Sequence, residues 1–219
     1  MEDRDTRGLY LELGDVRPDG LRDRIESLVR QPGVSRVTWW ENCVPGRDDL
    51  PMRVTDGSTL FVAEVDDRFT APAAPSGATA HYFRRHPRPS QGILTGRPST
   101  GLLVVWISPR TPDSAESLRD WADFVHIRHI AVAGIPGFTQ ISVYENALDI
   151  DPRYMHFYEF DSEDAGATFQ TMISFVAPHL GGIESDEFMG WADWRSPGGR
   201  LFYCNTFRLL GVIDPLESK

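Results

Sequence analysis

Apolar and polar positions follow two periods along the chain, and the switches between them outline its elements. Gly8 to Leu13 and Gly101 to Ser108 are runs of strand length; the second contains LLVVWIS and is apolar on both faces, as a central buried strand would be. Each precedes a stretch with helical spacing. Leu21, Ile25, Leu28 and Val29 form the first stripe, and Leu118, Trp121, Ala122, Val125, His129 and Val132 the second. A Pro-Gly pair, Pro32-Gly33 or Pro136-Gly137, then ends the helix and turns the chain into another strand.

The two stretches are copies of one pattern. PGVSRVTWWEN at Pro32 to Asn42 aligns without a gap with PGFTQISVYEN at Pro136 to Asn146, and LFVAEVD at Leu60 to Asp66 matches MHFYEFD at Met155 to Asp161. The offset falls from 104 to 95 between the two matches, so the first half carries nine extra residues in that connection. Within the repeated strand, Val37 and Trp39, or Ile141 and Val143, alternate with Arg36, Thr38 and Trp40, or Gln140, Ser142 and Tyr144. The apolar set is expected to face helices and the mixed set a second sheet.

The second half continues into a further helix, with Asp161 and Ser162 as cap candidates, Glu163 and Asp164 in its first turn and Pro178 at its end. Arg200 to Leu210 reads as a last strand, completing βαββαβ. In the first half, Asp67 to Thr100 holds Pro72, Pro75, Pro87, Pro89 and Pro98. At roughly 3 kcal/mol per interior proline they leave no room for a long helix; only Thr79 to Arg85 looks like a strand. The expectation is an α+β fold of two ferredoxin-like βαββαβ repeats, residues 1–100 and 101–219, the first with a degenerate second helix. Their sheets would pack into a fused dimeric α+β barrel with a polar-aromatic interior. The competing arrangement is two independent domains joined by the stretch Pro87 to Pro98.

Three motifs of the second half, WADFVHI at Trp121 to Ile127, IPGF at Ile135 to Phe138 and YEN at Tyr144 to Asn146, resemble the signature of EthD-like and related dimeric α+β barrel proteins. The resemblance covers about Leu102 to Phe160 and reaches the first half only through its PGV and strand motifs. There Arg22 stands at the position matching His126. The resemblance implies that the second half is the working copy and the first its structural partner. It implies no single chemistry, because the superfamily hosts monooxygenases, polyketide cyclases, isomerases, dehydratases and haem enzymes, and a fold does not choose among reactions.

Composition narrows the classes. The chain has 219 residues with 22 Lys and Arg against 32 Asp and Glu, a net charge of −10 that disfavours nucleic acid and an anionic membrane as partners. No apolar run approaches the roughly 20 residues that span a bilayer, and the opening MEDRDTRG lacks the apolar stretch of a signal peptide, so the expected location is cytoplasmic. Cys43 and Cys204 make no disulfide framework and no Cys-x-x-Cys pair. Walker, Gly-x-Gly-x-x-Gly, Gly-x-Ser-x-Gly and kinase motifs are absent, which disfavours nucleotide, nicotinamide and serine-hydrolase chemistry.

The candidate chemistry centres on His126 and His129, three apart on one side of a helix and near neutrality in their ordinary titration. At about 100° per residue, position 126 falls on the flank of the stripe made by Trp121, Ala122 and Val125, an edge from which an imidazole reaches a cavity between helix and sheet. Tyr144 is a candidate donor to a developing enolate or phenolate. Trp40 and Trp121 are candidate walls for a flat substrate. Glu159, with Glu64 as its counterpart, is either a buried carboxylate or a structural one. No metal site and no cofactor is expected, since neither a four-ligand spacing nor a haem attachment motif is present. The basic stretch FRRHPRP at Phe83 to Pro89 reads as a solvated loop or an anion receiver. These features predict a cofactor-independent enzyme that moves a proton on a hydrophobic carbonyl-bearing or aromatic small molecule by cyclisation, isomerisation, dehydration or oxygenation, with homodimerisation left open. Two alternatives are a haem protein with His126 or His129 as axial ligand and a non-catalytic small-molecule binder.

Overall fold

Period-two alternation in the strands becomes a sheet with two buried faces. The structure, a computed structural model, describes residues 7–16, 18–93, 97–162 and 164–214. The first half runs β1 (Gly8–Gly14), α1 (Pro18–Val29), β2 (Val34–Asn42), β3 (Thr59–Val65) and β4 (Thr79–Arg85), followed by the two-residue β5 (Gln91–Gly92). The second runs β6 (Gly101–Pro109), α2 (Ala115–Asp120), a π-helical segment Trp121–His126, α3 (Ile127–Val132), β7 (Phe138–Asn146), β8 (Tyr154–Phe160), α4 (Ala165–Val176), α5 (Asp186–Ala192) and β9 (Gly199–Ile213). All pairings are antiparallel in the order β4-β1-β3-β2-β9-β6-β8-β7, and β7 returns to β4, Tyr144 opposite Arg85, so that eight strands close a barrel. β5 adds to β7 farther along the edge that β4 uses, with Gln91 opposite Ile141.

Each half supplies four strands in the same relative order, β4-β1-β3-β2 and β9-β6-β8-β7. The halves join twice, β2 to β9 and β4 to β7, so the stretch from Pro87 to Pro98 does not link independent domains. The two Pro-Gly turns are built alike. Gly33 and Gly137 have φ of +82° and +78°, a left-handed conformation that glycine adopts without strain, and their carbonyls accept the Asp66 and Asp161 N–H groups at 2.9 Å. A Cβ at Gly33 would stand 2.7 Å from the backbone nitrogen of Phe69, so the turn also needs the missing side chain.

The faces sort as the alternation requires. Val37 packs with Ile25 and Leu28 under α1, and Ile141 and Val143 pack with Ile127 and Ile130 under α3. Trp40 and Tyr144 point the other way, into a barrel interior filled by Leu9, Leu11, Phe83, Trp106, Tyr203 and Phe207 from both halves. At roughly 1.5–3 kcal/mol per large apolar side chain buried, this shared interior is a main source of stability. Residues 66–78 contain no helix, as the prolines predict. Three details differ from expectation. The cap of α4 is Asp164, whose carboxylate accepts the Ala167 N–H at 2.8 Å, in place of Asp161 or Ser162; Glu163 lies outside the described residues. Pro178 sits within a 3₁₀ turn, Ala177–Leu180, that prolongs α4. A short helix, α5, follows with Ser185 as its cap, its hydroxyl accepting the Phe188 N–H at 3.0 Å.

Candidate site between the helix and the sheet

The long helix of the second half changes its winding where the candidate histidine stands. Trp121–His126 is π-helical, with i→i+5 bonding in place of i→i+4, and such segments recur at functional sites. Residues five apart then stack along one face, where an α-helix would separate them. Trp121 and His126 do so, their ring centroids 4.9 Å apart. Trp191 of α5 covers the other face of the imidazole at 5.0 Å, nearly parallel, and donates its indole N–H to the His126 carbonyl at 2.9 Å. The indole N–H of Trp121 donates to the Gly190 carbonyl at 2.7 Å. Position 126 is therefore a clasp between helices that stays partly exposed; it carries more packing than the expected edge of a regular 100° winding, because this segment turns less.

His126 Nδ1 lies 3.0 Å from the Trp191 carbonyl oxygen, which can only accept. Nδ1 thus carries the proton and Nε2 keeps the lone pair. Burial pushes the pKa down to about 4, with the Trp191 carbonyl opposing the shift and His129 adding to it, so the ring is neutral at pH 7. Across the layer stands His156 of β8, 3% exposed, its Nε2 buried without a partner. Burial pushes its pKa down to about 3, and the charges of His126 and Arg119 act in the same direction.

Arg119 and Asp123 complete the group, 5% and 2% exposed. The Arg119 guanidinium lies over the ring of Tyr154, 4.4 Å from its centroid, and burial lowers its pKa against the attraction of Asp123. Arg88, from the connection between β4 and β5, donates to Asp123 Oδ2 and to Asp120 Oδ1, both at 2.7 Å. Gln91 donates to the Asp123 carbonyl at 2.7 Å. The basic stretch FRRHPRP is thus neither free loop nor open receiver: it straps the first half to the catalytic-candidate helix of the second.

The six candidate residues divide between two places. His126, Trp121 and His129 lie in the helix layer. Tyr144, Trp40 and Glu159 face the barrel interior. Trp40 donates its indole N–H to Thr38 Oγ1 at 2.8 Å, and Glu159 accepts from Gln140 at 2.7 Å and from Ser99 at 2.9 Å. The Tyr144 hydroxyl is fully buried and raised in pKa by burial, with Glu159 as the next cause. The sheet separates the two sets. Arg119, Asp123 and His156 were missed by sequence reading. Arg119 and Asp123 sit four apart, about two turns and one turn before His126, a spacing that is visible in the sequence but also typical of a solvated ion pair. Among the described residues no group of three His, Cys, Asp or Glu side chains is placed to hold a metal. A concavity of about 380 Å³ on the outer side of α1 is lined by Asp23, Glu26, Ser27, Arg30 and Gln31 and includes none of the candidates.

Neither a protein-family model nor a curated protein matches the sequence. Solved structures match over nearly its whole length. A provisionally named monooxygenase from Fusobacterium nucleatum subsp. nucleatum superposes with a TM-score of 0.55 at 8% identity, covering 97% of this chain and 96% of its own. An anthrone oxidase-like protein gives 0.52 at 15% identity, with 96% and 94% covered. A mutant chlorite dismutase from Candidatus Nitrospira defluvii in complex with cyanide gives 0.52 at 9%, with 95% and 92% covered. At such identities the likeness is one of fold, and the fold is an α+β barrel.

Proposed function

We propose that the chain is a cofactor-independent small-molecule enzyme in which neutral His126 acts as base on a hydrophobic carbonyl-bearing or aromatic substrate. One observation carries this reading: five polar atoms, Arg119 Nε, Nη1 and Nη2, Asp123 Oδ1 and His156 Nε2, lie buried without a hydrogen-bond partner beside the π-helical segment. Buried polar groups are nearly always satisfied, and exceptions gather at sites of chemistry. The neighbours named as monooxygenase and anthrone oxidase-like favour oxygenation among the reaction types. In that role His126 Nε2 would take a proton from a carbon conjugated to a carbonyl, and the resulting carbanion would react with dioxygen to a hydroperoxide that loses water and leaves a new carbonyl. We further read residues 1–100 and 101–219 as ferredoxin-like copies of one unit, a reading supported by their matching strand orders, with the second, EthD-like copy carrying the chemistry.

A haem, which the chlorite dismutase neighbour brings to mind, does not suit these residues. His126 is stacked between two indoles with Nδ1 turned to the Trp191 carbonyl, and Ile127 and Ile130, both 0% exposed, pack in one cluster with Leu103, Ile141 and Tyr158. The unpartnered atoms also call for a polar ligand. Anthrone is a suitable first substrate: with O2 it gives anthraquinone and water, so an oxygen electrode follows the reaction. His126→Gln should stay folded by circular dichroism, because glutamine can still donate to the Trp191 carbonyl, and should turn over roughly 10²-fold more slowly. A folded variant working at the wild-type rate would remove His126 from the role of base.

A further inference from the structure

Arg119 is poorly explained by the stability of the fold. Its guanidinium is buried, its Nε forms an ion pair with Asp123 Oδ2 at 3.6 Å, too far for a hydrogen bond, and none of its three nitrogens has a hydrogen-bond partner among the described residues. Asp123 Oδ2 accepts from Arg88, which holds Asp120 as well, and Asp123 Oδ1 is, like the guanidinium nitrogens, buried without a hydrogen-bond partner. A buried charge with unmade donors is strongly disfavoured, so a structural role alone would have selected an apolar residue here. The donors are also arranged for something particular. A guanidinium offers parallel N–H groups in a rigid plane that matches two oxygens of a carboxylate, or an ionised enol or phenol. The guanidinium carbon lies over the Tyr154 ring, 4.4 Å from its centroid. His156 Nε2, also unpartnered, is close enough for the charge of Arg119 to act on its titration.

We propose that Arg119 anchors an anionic oxygen of a planar organic ligand, with His156 beside it, and so selects acidic aromatic or enolic substrates over neutral ones. The inference rests on the reading of this helix–sheet layer as the small-molecule site and adds the charge class of its ligand. The test titrates the full chain with 4-fluorobenzoate and with its neutral isostere 4-fluorobenzamide, followed by fluorine NMR. Wild type should bind the acid at least tenfold more tightly than the amide. Arg119→Gln should lose roughly 10- to 100-fold in affinity for the acid, as expected for a hydrogen bond to a charged group, while binding the amide unchanged. Arg119→Lys, which keeps the charge without the planar fork, should fall between, and it serves if the glutamine variant does not fold. Equal binding of acid and amide by wild type, or wild-type acid binding by either variant, overturns the anion anchor and leaves a small-molecule site standing. If neither probe is held at millimolar concentration, the anchor and the site reading fail together.

Discussion

His156, buried, and His126, partly buried, show what single residues contribute to the pH response. Both fall from an ordinary value of 6.5, to about 3 and about 4. Between pH 6.5 and those values the unfolded chain takes up protons at both positions and the folded chain does not, so stability rises with pH across that window. The contribution is whole above pH 6.5 and is lost as pH falls toward the folded values. From pH 7 to pH 5 the loss is about 2 kcal/mol for each ring. The urea midpoint should therefore decline steadily over this range, and His156→Gln should make the decline shallower; an equally steep decline in that variant would show that other groups carry it. Residue identity alone hid part of this. Alternation in β2, β7 and β8 assigns each side chain to a face, yet both faces are buried here, so Tyr144, Trp40 and Glu159 read as companions of His126 although the sheet divides them.

Among the elements, strands were legible and the contacts that assemble the site were not. The repeated Pro-Gly turns, the β4 strand at Thr79–Arg85 and the missing helix of the first half all follow from local pattern. The π-helical winding, α5 and the strap from β4 to the helix depend on partners distant in sequence: Trp121 meets Gly190, His126 meets Trp191, and Arg88 meets Asp120 and Asp123. The strap permits a direct test. Arg88→Ala takes from Asp123 the cation that hydrogen-bonds its carboxylate and leaves it Arg119 at 3.6 Å, and the penalty should be about 2–3 kcal/mol, near the lower end for breaking a buried pair because Arg88 is partly in water. Asp123→Asn removes the charge that Arg88 serves but also the nearest counter-charge of buried Arg119, so the Arg88→Ala/Asp123→Asn double variant should recover only part of the loss. Additive losses in the cycle would show that the strap is held by β5 and its pairing with β7 alone.

At the scale of the whole molecule, closure of the barrel decides whether the halves are separate bodies. Its interior draws Leu9, Leu11 and Leu13 of β1, with Phe83, from one half and Trp106, Met155, Tyr203 and Phe207 from the other. Neither half can bury that face alone, and strands of the two halves share hydrogen bonds at both seams. Loss of packing on one side should therefore be felt on the other. Leu11, 0% exposed in β1, is a suitable probe, because Leu→Ala in a full core costs about 2–5 kcal/mol in transfer and cavity terms. In native-state hydrogen exchange, the slowest amides of β3 and those of β6 and β8 should report the same opening free energy in the wild type. Leu11→Ala should lower all of them by the same amount. Amides of β6 and β8 that keep their full protection while β3 loses its own would show that the second half unfolds as an independent domain, and the shared core would then not be what couples the two halves.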